Sequence, residues 1–253
     1  MARRAPGVSI LKSDDHLVVV DKAAGVPSVR ERWDTETKTV LDLAQAQIEK
    51  GADGPVKLRT VHRLDKDTSG VILLARTAEA GRSLSGQFRD RTVEKTYLAL
   101  IAGAPYEPEG VIEARIDQDP KRPGAMRIVK HRGKAARTAW ASDERFRGFA
   151  LLRVTPATGR THQIRVHLAH AGMPLAIDPL YGGERTGIFL SELKRRYKPS
   201  RKHEERPLIG RLTLHAWRLT FDHPVSGDRV TVEAPLPKDL SLVLRDLRRF
   251  QAI

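Results

Sequence analysis

One block of polar residues directly precedes a strongly apolar run in this sequence. The segment RTVHRLDKDTSGVILLAR, 59–76, brings His62, Arg63 and Asp65 together in front of five apolar residues in six. The DTSG stretch after Asp65 could build an ordinary side-chain-stabilised turn into a strand, but this leaves the three residues before it unexplained. An ionised carboxylate held at such a point could act as a nucleophile or a general base.

A second block, TPATGRTHQIRVHLAHAG at 155–172, surrounds a predicted helix start with polar side chains, which are Arg160, His162, Gln163 and Arg165. Helix N-termini bind anions through their free N–H groups and the helix dipole, so we expect a phosphate or carboxylate nearby. Arg165, one turn into the helix, could bind Asp65 in bidentate fashion and keep that acid ionised by charge pairing. The two blocks together predict an acid–guanidinium pair.

The elements that must position these blocks follow from apolar patterning. Runs bounded by Gly and Pro predict strands at 17–22, 71–76, 94–103, 111–116, 126–130, 136–142, 149–156, 211–221 and 229–234. Apolar residues at helical spacing predict helices over about 38–49, from an N-cap at Thr77 to about 90, and over 161–172, with Gly172 at its end. The pattern is typical of an α+β fold with largely antiparallel strands, which we predict to form one domain over 1–253.

Composition favours a nucleic-acid partner. The 253 residues carry a formal net charge of +14, and a field of that sign attracts polyanions, with an anionic membrane as the second candidate. Cysteine is absent, so no thiolate nucleophile or zinc–thiolate site can form. No apolar run is long enough to span a bilayer, and the N-terminus has no secretory pattern, so we expect a soluble cytoplasmic protein.

Two basic segments are candidates for contact with phosphates. Residues 121–137 carry seven Lys or Arg and no acid, and residues 191–211 carry eight against three Glu. Such segments could also be ordinary solvated loops, but basic loops with an occasional aromatic residue suit backbone contact and base stacking. The predicted RNA-binding residues are Lys121, Arg122, Lys130, Arg132, Lys194, Arg195 and Arg196.

Five blocks of the sequence, in order and spacing, resemble the RluA-type RNA pseudouridine synthases. They are VHRLDKDTSGVILLA, EKTYLALIAG and TGRTHQIRVHLAHAGMPLAIDPLYG, flanked by DDHLVVVDKAAGVPS and RLTLHAWRLTFDHP. The resemblance covers nearly the whole chain. It implies a pseudouridine-synthase fold, with a central mixed, mostly antiparallel sheet flanked by helices and loops and an RNA cleft across its middle. It also implies an isomerase that needs neither metal nor cofactor.

The resemblance assigns roles to individual residues. Asp65 matches the family's catalytic aspartate, which acts at the ribose of a flipped-out uridine, and Tyr97 matches the tyrosine placed against the uracil ring. Arg165 matches the basic residue that pairs with the aspartate, and Arg63 matches an arginine that can fill the gap left by the uridine. The predicted substrate-binding residues are His62, Arg63, Arg160, His162 and Gln163, of which the two histidines are expected chiefly to position their neighbours.

Several alternatives stay open or are set aside at this point. The target could be ribosomal or transfer RNA, and a catalytically silent RNA-binding or ribosome-assembly protein could use the same cleft. The spacing of His162, His167 and His170 lacks an HExxH pattern, so a metal site is not expected, and DTSG differs from the aspartic-protease motif by one residue. We expect a monomer with no S4-type domain before the first strand and a basic insertion over about 183–210.

Overall fold

The structure, a computed structural model, describes residues 7–30, 36–51, 56–198 and 203–253. The chain divides into two units: the first comprises Met1–Thr96 and His215–Pro235, and the second comprises Tyr97–Leu214 and Leu236–Ile253. Residues 199–202 of the predicted basic insertion lie outside the described residues.

The first unit is a mixed sheet with two helices. Its elements are β1 (Val8–Ser13), β2 (Leu17–Lys22), α1 (Val40–Glu49), β3 (Arg59–Thr60), β4 (Ser69–Ala75), α2 (Ala78–Asp90), β10 (Leu214–Asp222, from His215) and β11 (Arg229–Glu233). The strand order is β1, β2, β4 and β10, with β3 also on β4 and β11 also on β10. The pair β4–β10 is parallel, whereas β1–β2, β2–β4, β3–β4 and β10–β11 are antiparallel.

Strand β4 lies at the centre of the first unit because its sequence SGVILLA is buried along its whole length. A continuous apolar run of this kind suits a strand that is covered on both faces. Its parallel pairing with β10 depends on Gly70, which has φ +119°, since a Cβ there would lie 2.1 Å from the carbonyl oxygen of Ala216. Glycine is therefore required where the two backbones approach each other.

Both helices of the first unit begin at a threonine cap. The Thr77 hydroxyl accepts a hydrogen bond from the Ala80 N–H at 3.1 Å and starts α2, and Thr39 forms a capping box with Asp42 at the start of α1. Helix α2 directs Leu84 into the core of the first unit. The predicted cap at Thr77 is confirmed.

The second unit is an antiparallel sheet packed against a short buried helix. Its elements are β5 (Glu94–Ala102, from Tyr97), β6 (Glu109–Gln118), β7 (Met126–Val129), β8 (Lys134–Phe146), β9 (Phe149–Pro156), α3 (Gln163–His170), α4 (Leu190–Leu193) and α5 (Lys238–Phe250). The strand order is β5, β9, β8, β6 and β7. Ile164 and Leu168 of α3 pack into a core with Leu152 and Trp140 of the sheet.

The observed elements confirm the predicted α+β class and every predicted strand and helix, with shifts of a few residues at their ends. Four elements were not predicted, namely β1, β3, α4 and α5. In the part of the chain that the structure describes, no helix is both long and apolar enough to cross a membrane.

Candidate active site and RNA-binding surfaces

The Asp65 loop, defined here as residues 61–68, joins β3 to the N-terminus of β4 in the first unit. The Thr68 N–H donates to the carbonyl oxygen of Asp65 at 3.1 Å, which closes a tight turn directly after the acid. Asp65 itself is half-buried, whereas Arg63 is exposed. The loop therefore holds a carboxylate at the end of a buried strand, with a long cation two residues away.

The imidazole of His62 fastens the Asp65 loop to the rest of the first unit. Its Nε2 accepts a hydrogen bond from the Leu73 N–H at 2.9 Å, and its ring stacks on Phe88 of α2 at 4.4 Å between centroids. Burial, together with the nearby charge of Lys95, lowers the pKa of His62 to about 3. The ring is neutral at physiological pH and accepts through Nε2, so we assign His62 to holding the loop in place.

Tyr97 lies on β5 in the second unit, opposite Val154 of β9. Its ring is partly buried against the core that includes Ile164 and Leu168 of α3. A side chain in this position has little freedom to reorient, because the strand fixes its backbone and the core fixes one side of its ring.

Arg165 forms a buried bidentate ion pair with Asp178, an acid that sequence reasoning did not single out. The Nε of Arg165 donates to Asp178 Oδ2 at 2.8 Å, and Nη2 donates to Oδ1 at 2.7 Å. Both side chains are almost fully buried, at 6% and 0% exposure. This pair fixes the plane of the guanidinium and directs Nη1 away from Asp178.

Asp178 also organises the chain that follows it. Its Oδ1 accepts hydrogen bonds from the N–H groups of Leu180 at 2.9 Å and Tyr181 at 3.2 Å. The segment before it runs beside β5, where the Ala176 N–H donates to the carbonyl oxygen of Leu100 at 2.9 Å. The backbone beside β5 thus brings Asp178 to α3, and the carboxylate turns the chain at DPLYG.

Tyr181 links this turn to the helix start and to the β6–β7 hairpin. Its hydroxyl accepts from the Met126 N–H at 2.7 Å and is hydrogen-bonded to His162 Nδ1 at 2.9 Å. The guanidinium of Arg165 lies 5.1 Å from the centroid of its ring. Burial raises the pKa of the Tyr181 hydroxyl, so it stays protonated as a neutral hydrogen-bonding group.

Gln163 and Arg160 build the start of α3. The Gln163 amide accepts from Thr158 Oγ1 and from the Arg160 N–H, and it donates to the Arg137 carbonyl oxygen and to Thr138 Oγ1, all within 3.0 Å. Gln163 is 4% exposed, so we assign it to positioning the helix start. Arg160 is half-exposed, and its Nε donates to the carbonyl oxygen of Ala135 at 3.3 Å.

The histidines of α3 do not meet as a ligand set. His167 is fully buried with Nδ1 3.0 Å from Thr138 Oγ1, and burial lowers its pKa to about 4. His170, in contrast, is exposed. Among the described residues, no group of three or more His, Cys, Asp or Glu side chains is arranged to hold a metal ion.

The first basic segment comprises the tip of the β6–β7 hairpin, strand β7, the turn into β8 and the first residues of β8. Lys121, Lys130 and Arg132 are exposed there. Arg122 is tied down on one side, since Nε donates to Asp119 Oδ2 at 2.9 Å and Nη1 donates to the Leu180 carbonyl oxygen at 3.1 Å. Beside the hairpin lies a groove of about 550 Å³ with Lys134 and Arg160 in its wall.

The second basic segment is described over 191–198 and 203–211, and each of these parts has an anchored residue. Residues Ile188 and Ile209 pair as a β-bridge, and Leu193 is buried with its carbonyl oxygen bound by Gln251 Nε2 at 2.7 Å. The three cations that follow, Lys194, Arg195 and Arg196, are exposed.

The structure thus divides the predicted site residues between the two units. His62, Arg63 and Asp65 lie in the first unit, and Tyr97, Arg160, His162, Gln163 and Arg165 lie in the second. The predicted pairing of Asp65 with Arg165 stays a prediction. Sequence reasoning missed Asp178 and Tyr181, although both stand in the DPLYG end of a block that was compared with the family.

The comparisons with known proteins agree with this architecture. Ribosomal large subunit pseudouridine synthase D of Nitrosomonas europaea is 38% identical over 244 residues, which are 95% of this chain and 65% of the relative. The synthase of the same name from Xanthomonas campestris is 38% identical over 251 residues, 97% of this chain and 71% of the relative. The chain thus spans slightly less than two thirds of the first of these relatives.

Two solved structures share the fold. Human RNA pseudouridylate synthase domain containing 4 superposes with a TM-score of 0.71 at 24% identity, covering 95% of this chain and 93% of that one. Human RNA pseudouridylate synthase domain containing 1 has a TM-score of 0.65 at 26% identity, with 98% of each chain covered. The predicted pseudouridine-synthase fold is confirmed.

A sequence model described as RNA pseudouridylate synthase matches residues 16–170, which is more than half of the chain and includes Asp65, Tyr97 and Arg165. The chain belongs to the RNA pseudouridylate synthase family.

Proposed function

We propose that this protein is an RNA pseudouridine synthase that isomerises specific uridines in structured ribosomal RNA. The observation that carries the proposal is the family match over residues 16–170, which spans all three proposed catalytic residues. Relatives named ribosomal large subunit pseudouridine synthase favour ribosomal over transfer RNA as the substrate. The net charge of +14 suits a polyanionic partner.

In the proposed reaction, Asp65 acts at the ribose. Breaking the bond between C1′ and N1 develops positive charge on the sugar, which the carboxylate stabilises by attack at C1′ or relieves by taking the 2′ proton. The freed uracil turns, and C5 bonds to C1′ as the bond between C1′ and Asp65 breaks or, in the second route, as Asp65 returns the proton to C2′. The C5 proton then leaves, and N1 gains one. The atoms of substrate and product are the same, so the reaction consumes no oxidant or co-substrate.

Tyr97 and Arg165 hold the reactants in this proposal. A tyrosine hydroxyl is a poor base at neutral pH, so Tyr97 chiefly orients the uracil ring. Its partly buried position on β5 supports that role. Arg165 pairs with Asp65 in this proposal, and its fixed orientation on Asp178 supports its use as a rigid donor. The proposed catalytic domain spans residues 1–253.

RNA contact comes from exposed cations in this proposal. Flipping a base out of its stack costs a few kcal/mol, and Arg63 is an exposed, long cation suited to filling the gap. The basic hairpin tip and the segment at 194–196 bind phosphates. These cations are exposed, and the backbone next to them is anchored, for example at Leu193. Both features support this role, because an anchored backbone loses little conformational entropy on binding.

The test is conversion of uridine to pseudouridine in unmodified ribosomal RNA transcripts, read as carbodiimide adducts that resist alkali. We expect the wild-type chain to form pseudouridine at defined positions and Asp65→Asn and Asp65→Ala to form none, while all three bind the transcript with similar affinity. Binding without conversion by the wild-type chain would refute the proposal and favour a silent RNA-binding protein.

A further inference from the structure

Leu64 and Lys66, the neighbours of Asp65 in sequence, are both hydrogen-bonded to one distant segment. This segment, called here the 22–28 turn, has the sequence KAAGVPS. On one side, Ser28 Oγ donates to the Leu64 carbonyl oxygen at 2.8 Å and accepts from the Leu64 N–H at 3.1 Å. Ser28 and Leu64 are 4% and 5% exposed, so water cannot readily replace these bonds. One hydroxyl therefore satisfies both backbone groups of the residue before the acid.

On the other side, the carbonyl oxygen of Lys66 accepts two hydrogen bonds from the same turn. Lys22 Nζ donates to it at 2.7 Å, and the Gly25 N–H donates at 2.9 Å. The Lys22 ammonium also donates to the carbonyl oxygens of Ala23 and Val26, and its side chain is fully buried. Three acceptors match the three protons of an ammonium, so the lysine is a fixed cross-link between the turn and the loop.

We propose that the 22–28 turn positions the Asp65 carboxylate, with Ser28 as the key positioning residue. This inference rests on the proposed role of Asp65. The backbone on both sides of the acid is fixed from outside the loop, because bonds to Leu64 and Lys66 span 36 and 44 residues of sequence. An acid that must meet C1′ or a 2′ proton gains rate from such preorganisation, since a small misplacement costs far more in turnover than in binding.

The decisive variant is Ser28→Ala, which removes both bonds to Leu64 and leaves the turn's lysine in place. We expect its single-turnover rate constant at saturating RNA to fall by about 10- to 100-fold, because the acid is displaced from its reactive position. The dissociation constant for RNA should change by less than about twofold, since the hydroxyl is buried away from the RNA. Ser28→Thr keeps the hydroxyl and should restore most of the rate.

The matched control is Thr77→Ala. It removes the hydrogen bond from the Ala80 N–H to the Thr77 hydroxyl, which caps α2 in the same unit. It lowers stability without touching the Asp65 loop, and we expect turnover close to wild type. A wild-type rate in Ser28→Ala, an equal loss in Thr77→Ala, or no recovery in Ser28→Thr would each overturn the proposal.

Hydrogen exchange separates this inference from the proposed function. In Ser28→Ala, amides of residues 62–68 should exchange at least about tenfold faster than in the wild type, while those of β11 stay unchanged. If the wild-type chain forms no pseudouridine, the proposed function fails, and the exchange experiment still decides whether the turn fixes the loop. Unchanged protection in the variant would overturn the positioning role.

Discussion

Replacing Asp178 with asparagine tests whether the buried pair with Arg165 orients the guanidinium. Asparagine keeps the shape of the side chain but puts a donor nitrogen where a carboxylate oxygen accepts from Arg165. Removing one partner of a buried ion pair leaves an uncompensated charge and costs about 3–5 kcal/mol. We therefore expect the free energy of unfolding of Asp178→Asn to fall by that amount, with turnover lost as Arg165 reorients.

The chain offers a control with the same geometry and different burial. Arg153 and Asp143 form a bidentate pair at 2.7 Å and 3.2 Å, but their side chains are 52% and 22% exposed. An exposed pair contributes about 0–1 kcal/mol, so Asp143→Asn should change stability little. Urea denaturation of both variants followed by circular dichroism measures the difference.

A double variant separates stability from orientation. Replacing Arg165 with Met in the Asp178→Asn protein removes the remaining buried charge, while the asparagine oxygen can still accept from the N–H groups of Leu180 and Tyr181. We expect this variant to regain much of the stability lost in Asp178→Asn and to remain inactive. Equal unfolding free energies for Asp178→Asn and Asp143→Asn would refute the reasoning, because burial would then make no difference.

Three further predictions address the other contacts. The first variant replaces three exposed cations of the second basic segment with Ala, namely Lys194, Arg195 and Arg196. It should weaken RNA binding and reduce the slope of the log association constant against log salt by about 2 to 3, measured by filter binding. An unchanged slope would place the RNA elsewhere. Tyr181→Phe leaves the Met126 N–H without its acceptor and should cost about 1–3 kcal/mol in urea melts; a stability equal to wild type would contradict this. Because burial lowers the pKa of His62 to about 3, the unfolded chain takes up a proton below about pH 6.5 that the folded chain excludes. The free energy of unfolding should fall as the pH drops from 6.5 towards 3, and His62→Gln should flatten that slope by at most about 1.4 kcal/mol per pH unit; the same slope in the variant would show that His62 does not contribute.

Local patterns in the sequence predict most of the elements because their causes are local. The run VILLA gives a strand that is buried on both faces, and Thr77 gives a helix start through a hydroxyl only three residues from the N–H it binds. The elements that were not predicted were missed for different reasons. Strand β3 has two residues, too few for any pattern, whereas α5 carries Leu240, Val243, Leu244 and Leu247 at helical spacing and could have been found.

Sequence motifs also single out the residues that could take part in a reaction, but not all of their hydrogen-bonding partners. Arg165 was expected to pair with Asp65. The structure shows that it binds another acid, Asp178, 13 residues further along the chain. The signal for Asp178 is present in DPLYG, three residues before the tyrosine that binds the Met126 N–H. An acid at a turn is also a common structural feature, so this motif alone does not identify a partner of Arg165.

The sequence by itself determined the order of the predicted strands and helices, the cap at Thr77, the basic character and the family-specific blocks, since each follows from composition or from neighbours within a few residues. The tertiary structure decided which backbone groups hold Asp65, which acid orients Arg165 and which ring fastens the β6–β7 hairpin. Those contacts join segments up to 55 residues apart, from Met126 to Tyr181 and from Ser28 to Leu64. Packing of the sheets and helices brings such segments together, and no local pattern encodes their distance.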